Sequence, residues 1–359
     1  MITLSRPTLG EEELDRIRDV FERGRLARGP EVESFEDEFA AFCEATHGVA
    51  TTNGTTALHT ALSALGLGEG DRVATSSFSF VPSANAIRWC GAEPTFVDVR
   101  ENTYTIDPES LETRLQGGER IDAVIAVHLF GLPCDMEYLR ELSEEYGFLL
   151  IEDAAQAHGA AYSGTPVGAF GDAACFSFFA SKNMTTGEGG MVVTDDPDVA
   201  NRARRFIEHG RTEGGYDGLG HNFCMSDVTA AIGRAQLDKL PAFNESRREN
   251  ADRFSEGFQD LPVITPIEPP DRRHVYHIYT IQIDDREGLQ THLKERDIRT
   301  GVYYHTPIHD QPAYSEYDVS LPAVERLKER VLALPVHPGL SKEESGQVVD
   351  ATREYFEET

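Results

Sequence analysis

Residues 148–194 read FLLIEDAAQAHGAAYSGTPVGAFGDAACFSFFASKNMTTGEGGMVVT and contain three short apolar runs, Phe148–Ile151, Ala174–Phe178 and Met191–Thr194. Each is too short for a helix and stops at polar or glycine-rich chain, as a strand buried on both faces does. Similar runs stand upstream at Gly48–Thr52, Arg72–Thr75, Thr95–Val99 and Ala123–His128. Helical patterns such as Thr56–Leu65 and Met136–Tyr146 separate several of them. Strands alternating with helices predict an α/β fold, a mostly parallel seven-stranded sheet between helices.

Outside this stretch the periodicity is mostly helical. Leu14, Ile17, Val20 and Phe21 share one face of a first helix, with Thr8 as its expected N-cap. Val32, Phe35, Phe39 and Phe42 line a second helix after Gly29-Pro30. From Ser226 to Phe258 the pattern is helical again, broken or bent near Pro241. Beyond it, Tyr276–Ile283 reads as a strand, and Leu289–Arg296 and Val324–Leu332 as helices. The expected division is a large domain with an N-terminal helical arm (residues 1–240) and a smaller C-terminal α+β domain (residues 241–359). Pro262–Pro270 is read as a surface connection.

Composition narrows the functional classes. No apolar run approaches the ~18–20 residues of a membrane helix, and the first residues lack a basic-then-apolar leader, so a cytoplasmic protein is expected. The five cysteines are scattered, without a CxxC pair, which argues against a disulfide framework or a zinc site; no metal is expected. The formal net charge is −29, and only five of the 33 basic residues are lysines. Such a surface repels nucleic acid and anionic membrane, and it suits a salt-rich, halophilic cytoplasm where counterions screen the self-repulsion.

Three strand ends carry chemistry. In Thr52-Asn-Gly-Thr-Thr-Ala-Leu58, Gly54 lets the chain turn closely, and the amides of Thr55 and Thr56 open a helix; this is a phosphate cradle or a plain N-cap. In Leu149-Leu-Ile-Glu-Asp-Ala-Ala-Gln156, Asp153 leaves the sheet where a carboxylate can keep a ring nitrogen protonated, or cap a turn. In Phe176-Ser-Phe-Phe-Ala-Ser-Lys182, the lysine is the only one in the first 238 residues and precedes Thr186-Gly-Glu-Gly-Gly190. A desolvated amine there loses its proton readily and attacks a carbonyl carbon to form a Schiff base. Phosphate grip, ring-nitrogen partner and Schiff-base amine together are what pyridoxal 5′-phosphate requires.

The order of these motifs resembles the DegT/DnrJ/EryC1/StrS family of fold-type-I sugar aminotransferases. The likeness runs through Phe35–Phe39, Asn53–Leu58, Gly91–Val99, His128–Pro133, Ile151–Gly159, Phe176–Gly190, Gly220–Leu237 and Tyr304–Pro307. It implies a Schiff base on Lys182, which also shuttles the substrate proton. It further implies Asp153 on the pyridine nitrogen, Gln156 on the phenolic oxygen, and Gly54, Thr55 and Ser177 on the phosphate. Phe80 matches the family's stacking aromatic, with Phe78 the neighbouring candidate. Asn222 matches an asparagine that reaches the phosphate from a partner subunit, which implies a homodimer with shared sites. His305 is a candidate substrate contact or a structural histidine, Arg28 a candidate for a nucleotide phosphate, and His158 packs near the cofactor. Cys224 stands where the family often has arginine, which puts any anion contact there in doubt.

The implied reaction moves an amino group from glutamate or glutamine to a keto-sugar, usually nucleotide-linked. A cyclitol acceptor such as an inosose is an alternative. Sugar dehydration is disfavoured because relatives that perform it carry histidine in place of the lysine. A non-catalytic cofactor-binding sensor is disfavoured by the complete Asp153, Gln156 and Lys182 set. A nicotinamide dehydrogenase is weaker still, since no GxGxxG follows the first strand.

Overall fold

The computed structural model describes residues 1–358. Its central sheet has seven strands: β1 (His47–Thr51), β2 (Arg72–Ser76), β3 (Glu93–Val97), β4 (Ala123–Val127), β5 (Leu149–Asp153), β6 (Ala173–Ser177) and β7 (Gly190–Thr194). Their order is β1-β7-β6-β5-β4-β2-β3, and only β7 runs antiparallel to its neighbours. The mostly parallel seven-stranded α/β sheet expected from the alternating pattern is what the chain forms.

Side chains alternate across this sheet. Ile125 and Ile151 join the core that holds Leu58 and Leu62 of α3 (Gly54–Ala64) and Ile87 of α4 (Pro82–Trp89). Val124 and Leu150 face the other way, onto Leu111 of α5 (Pro108–Gln116) and Leu139 and Leu142 of α6 (Met136–Tyr146). The same period of two carries to the end of β5. Asp153 therefore falls on the α4 side, where Ser83 reaches it, and Glu152 falls on the opposite face.

Helix starts are fixed by side-chain caps. Asn53, Asp107, Asp135 and Asp196 each accept an N–H from the first turn of the helix that follows, Asp196 opening α7 (Pro197–Ile207). The first helix departs from expectation. Helix α1 (Glu11–Arg23) is capped at Gly10 rather than Thr8, because the Glu13 carboxylate takes the Gly10 N–H at 2.7 Å. Its apolar stripe is only partly covered within the chain: Val20 is fully buried, but Leu14 is 52% and Phe21 61% exposed. In α2 (Pro30–Phe42), Val32, Phe35 and Phe39 are fully buried.

Of the break or bend expected near Pro241, the break is absent. Helix α8 (Asp227–Gly257) runs through it as one element, with Leu240, Asn244 and Arg247 buried along its length. It therefore spans residues 240 and 241, packing on α1 and α2 and, further along, donating from Arg247 to the Tyr276 and His277 carbonyls. Beyond it come α9 (Arg286–Glu295), α10 (Pro322–Arg330), α11 (Lys342–Glu358) and an antiparallel pair, β8 (Tyr279–Gln282) with β9 (Val331–Leu334). The helix expected over Val324–Leu332 ends at Arg330, since Val331 and Leu332 pair with Gln282 and Ile281. The N-terminus joins this unit: the Ile2 N–H donates to the Asp297 carbonyl at 2.7 Å, and Ile2 sits in its core. Among the described residues no helix is long and apolar enough to cross a membrane.

Candidate active site

Parallel strands deliver their carboxyl ends to one edge, where ligands sit in open α/β sheets. Val127 and Asp153 lie side by side there, with Cys175 next to Asp153. Thr51 and Ser177 both pair with Gly190, the first residue of the reversed strand. A cavity of about 1260 Å³ opens at this edge. Asn53, Gly54, Thr55, Phe80, Asp153, Gln156, Ser177 and Lys182 all line it.

At the start of α3 the cap is reciprocal. The Asn53 side chain accepts the Thr56 N–H at 2.9 Å, and the Thr56 hydroxyl accepts the Asn53 N–H at 3.1 Å. The N–H groups of Gly54 and Thr55 have no acceptor among the described residues, and they sit at the positive end of the helix dipole. Gly54 lies hard against Ser177: a Cβ at residue 54 would stand 2.6 Å from the Ser177 Cβ. Backbone amides and a hydroxyl are thus brought together at one anion-sized position.

Asp153 is 6% exposed and accepts from the Ser83 hydroxyl at 2.9 Å and the Ala155 N–H at 3.2 Å. Burial raises its pKa above the usual carboxylate range, against the pull of those two donors and of Lys182. Burial acts oppositely on Lys182, lowering its pKa to about 8 against the stabilising charge of Asp153. The lysine amine makes no hydrogen bond among the described residues. Its backbone is pinned by its neighbour: Asn183 donates to Asn244 at 2.8 Å and to the Val275 carbonyl at 3.0 Å, and its oxygen lies 3.1 Å from His277 Nδ1.

Gln156 accepts the Phe130 N–H at 2.8 Å and donates to the Tyr304 hydroxyl at 3.3 Å. Of the two aromatic candidates, Phe80 is 59% exposed at the cavity and lies parallel to Tyr304, while Phe78 is fully buried in the core. His158 lies behind the cavity among Phe39, Phe176 and Phe178, its pKa lowered to about 3 by burial and by Lys182.

Three expected site residues stay outside the lining. Arg28 is committed to Glu36, with both carboxylate oxygens 3.0 Å from one guanidinium nitrogen, and Glu36 in turn holds the Ala50 N–H. Asn222 is exposed and bridges Glu208 through its backbone. His305 is exposed and bonds only its neighbour Thr306, at 2.8 Å. Conversely, Ser83, His277 and Tyr304 face the cavity without having been singled out, as do Leu4 and Ser5 of the N-terminal segment. Ser83 carried a usable signal, one helical turn beyond Phe80. The sequence pattern around Tyr304 points to the adjacent His305 instead.

The model of the DegT/DnrJ/EryC1/StrS aminotransferase family matches residues 7–353. The chain belongs to this family. It is 37% identical, over 98% of its length and 96% of the relative's, to the spore coat polysaccharide biosynthesis protein SpsC of Bacillus subtilis. To the dTDP-3-amino-3,4,6-trideoxy-alpha-D-glucose transaminase of Streptomyces venezuelae it is 39% identical, over 95% of this chain and 91% of that one. The crystal structure of S. venezuelae DesV in complex with a ketimine intermediate superposes with a TM-score of 0.92 at 39% identity, covering 96% of this chain and 94% of that one. This member of the family is accordingly a pyridoxal-phosphate-dependent aminotransferase. The cavity fits that cofactor by its own chemistry: an unpaired amine of lowered pKa, a buried carboxylate, and two free amides beside a hydroxyl.

Proposed function

We propose that the enzyme moves the amino group of glutamate or glutamine onto the keto group of a nucleotide-linked sugar. The observation that carries this reading is the Lys182 amine, half-buried, without a hydrogen bond among the described residues, and lining with Asp153 a cavity wide enough for a ligand beyond the cofactor. The acceptor class follows from relatives such as the dTDP-amino-sugar transaminase and the GDP-perosamine synthase of Vibrio cholerae.

Bound there, the cofactor's protonated pyridine serves as an electron sink for the substrate carbon. The residues have separable tasks. The Gly54 and Thr55 amides and the Ser177 hydroxyl hold the phosphate, and Phe80 covers one ring face. Asp153 holds the proton on the ring nitrogen, and Ser83 and Ala155 hold Asp153 in place. Gln156 donates to the ring oxygen. Lys182, with a pKa near 8, is able at neutral pH to give up its proton and to carry one to and from the substrate carbon.

Asn222 is assigned to a second copy's phosphate rather than its own. Exposed Leu14, Phe21, Trp89 and Leu219 support a homodimer, since each is an uncovered apolar side chain on a very acidic surface. The division into residues 1–240 and 241–359, a cytoplasmic location and adaptation to salt belong to the same proposal. Arg28 and His305 are not carried into it. The test is Lys182→Ala: the visible absorption band and the release of 2-oxo acid from glutamate should both disappear. Retention of either would overturn the assignment.

A further inference from the structure

Gln156 presents its amide to the cavity in one orientation. The Phe130 N–H lies 2.8 Å from Oε1, and an N–H bonds only the oxygen end, so Nε2 is the end turned inward. There it gives one hydrogen to Tyr304 Oη, at 3.3 Å, and keeps a second. Tyr304 is thereby an acceptor, and its own hydroxyl hydrogen has no acceptor among the described residues. Two unpartnered hydrogens thus face the cavity side by side.

The residue that sets this arrangement is strained. Phe130 has φ 58°, a conformation that costs a bulky side chain on the order of 1–3 kcal/mol. Its ring is buried, with its centroid 5.3 Å from that of Tyr104 and 6.4 Å from that of Phe78. Gly131 accepts the Val275 N–H at 3.0 Å and has no room for a Cβ, which would stand 3.0 Å from the His277 nitrogen and 3.1 Å from the Gln156 carbonyl oxygen. The surroundings hold the strain, and what it aims is one N–H at Gln156.

We infer that Phe130 is a positioning residue whose backbone N–H orients Gln156, and that Tyr304 is a second hydrogen-bond donor, beside Gln156, to the anionic ring oxygen of the bound cofactor. The inference rests on the cofactor site proposed above. Adjacent donors with no acceptor between them suit an acceptor-only, negatively charged atom. They stabilise its deprotonated form, so they lower the pH at which the visible band of the loaded enzyme titrates.

The experiment is that titration on enzyme reconstituted with pyridoxal phosphate. Tyr304→Phe should raise the midpoint by about one pH unit, the worth of one hydrogen bond to a charged group. Gln156→Glu leaves Phe130 an acceptor but replaces the inward donor, and should raise the midpoint further. An unmoved midpoint in Tyr304→Phe overturns the second donor, and in Gln156→Glu the orientation. Amide exchange read by NMR on 15N-phenylalanine-labelled protein tests the positioning role. The Phe130 amide should stay protected in Gln156→Glu and exchange faster in Gln156→Leu; equal exchange in Gln156→Leu overturns that role. A parent enzyme with no lysine-dependent band would instead overturn the cofactor site itself, and this inference with it.

Discussion

Replacing Gly54 by alanine puts the phosphate cradle to a test whose size follows from the contacts. The new methyl would stand 2.6 Å from Ser177 Cβ, 3.1 Å from Oγ and 3.2 Å from Cα. Carbon atoms rest at roughly 3.5–4.0 Å, so an overlap of about 1 Å has to be relieved. Ser177 yields little, because it ends the buried strand β6 and pairs with Gly190. The first turn of α3 yields instead, moving the Gly54 and Thr55 amides away from the Ser177 hydroxyl. Overpacking of this kind costs about 2 kcal/mol. Expressed in cofactor binding, that is ~30-fold in Kd. The assay is titration of the apoenzyme with pyridoxal phosphate by visible absorbance, beside the melting temperature of the apoenzyme. The double variant Gly54→Ala with Ser177→Gly removes the closest contact, so it should bind more tightly than the two single losses multiplied together. A Gly54→Ala enzyme with Kd within about twofold of the parent, and an unchanged melting temperature, would refute the idea that this turn grips the phosphate.

Other expectations address the charges. Lys182 loses its proton at about 8 when folded and at about 10.5 when unfolded. Between those values the unfolded chain holds more protons, so the lysine's contribution to apoenzyme stability rises with pH across that window. Lys182→Met should remove this rise and be relatively more stable below pH 8; urea melts showing the parent's pH slope in the variant would contradict it. Glu152 accepts the N–H groups of Gly168, Phe170 and Gly171 and lies 3.0 Å from His128 Nε2, with Glu152, His128 and Gly168 buried. Glu152→Gln turns an NH2 toward some of these donors and should cost about 3 kcal/mol in denaturant melts at constant m-value; a loss below about 1 kcal/mol would count against the network. With a net charge of −29, the melting temperature should climb with KCl, and a flat response would remove the salt-adapted reading.

The sheet was legible because burial on both faces demands continuous apolar runs, and such runs are hard to hide. Asp153 and Lys182 were legible for a related reason: each is a polar residue where an apolar strand stops or just beyond it, whereas Ser177 came from the family resemblance. Legibility failed where long-range contacts override local pattern. Thr8 is a better intrinsic cap than Gly10, but the Glu13 carboxylate satisfies the Gly10 N–H. Pro241 signals a break, but burial on both sides of it carries α8 through. Val331 and Leu332 fit a helical period, yet β8 captures them as a strand. Tyr304 and His277 reach the cavity from more than ninety residues beyond Lys182, a placement made by tertiary packing that no local pattern encodes. Arg28 shows the converse: its charge was visible, but its partner Glu36 was not.

The scarcity of lysine explains why one residue could be read so sharply. The chain has 28 arginines and five lysines, so where a permanent cation serves, arginine is usually in place. Arginine cannot replace lysine where the group must shed its proton, since a guanidinium stays charged throughout the working pH range. A lysine that persists in such a chain, alone through 238 residues and placed after an apolar strand, marks a position where a removable proton is required. The structure supplies the cause of that readiness to lose a proton. Burial lowers the Lys182 pKa to about 8, while Asp153 opposes the shift enough to keep the amine near the point where it can both lose and regain a proton. A more deeply buried lysine without Asp153 would stay neutral and be a poor acid, and an exposed one would stay charged and be a poor nucleophile. The pairing of one carboxylate with one amine at the ends of neighbouring strands therefore sets the chemistry, and the surface composition makes it visible.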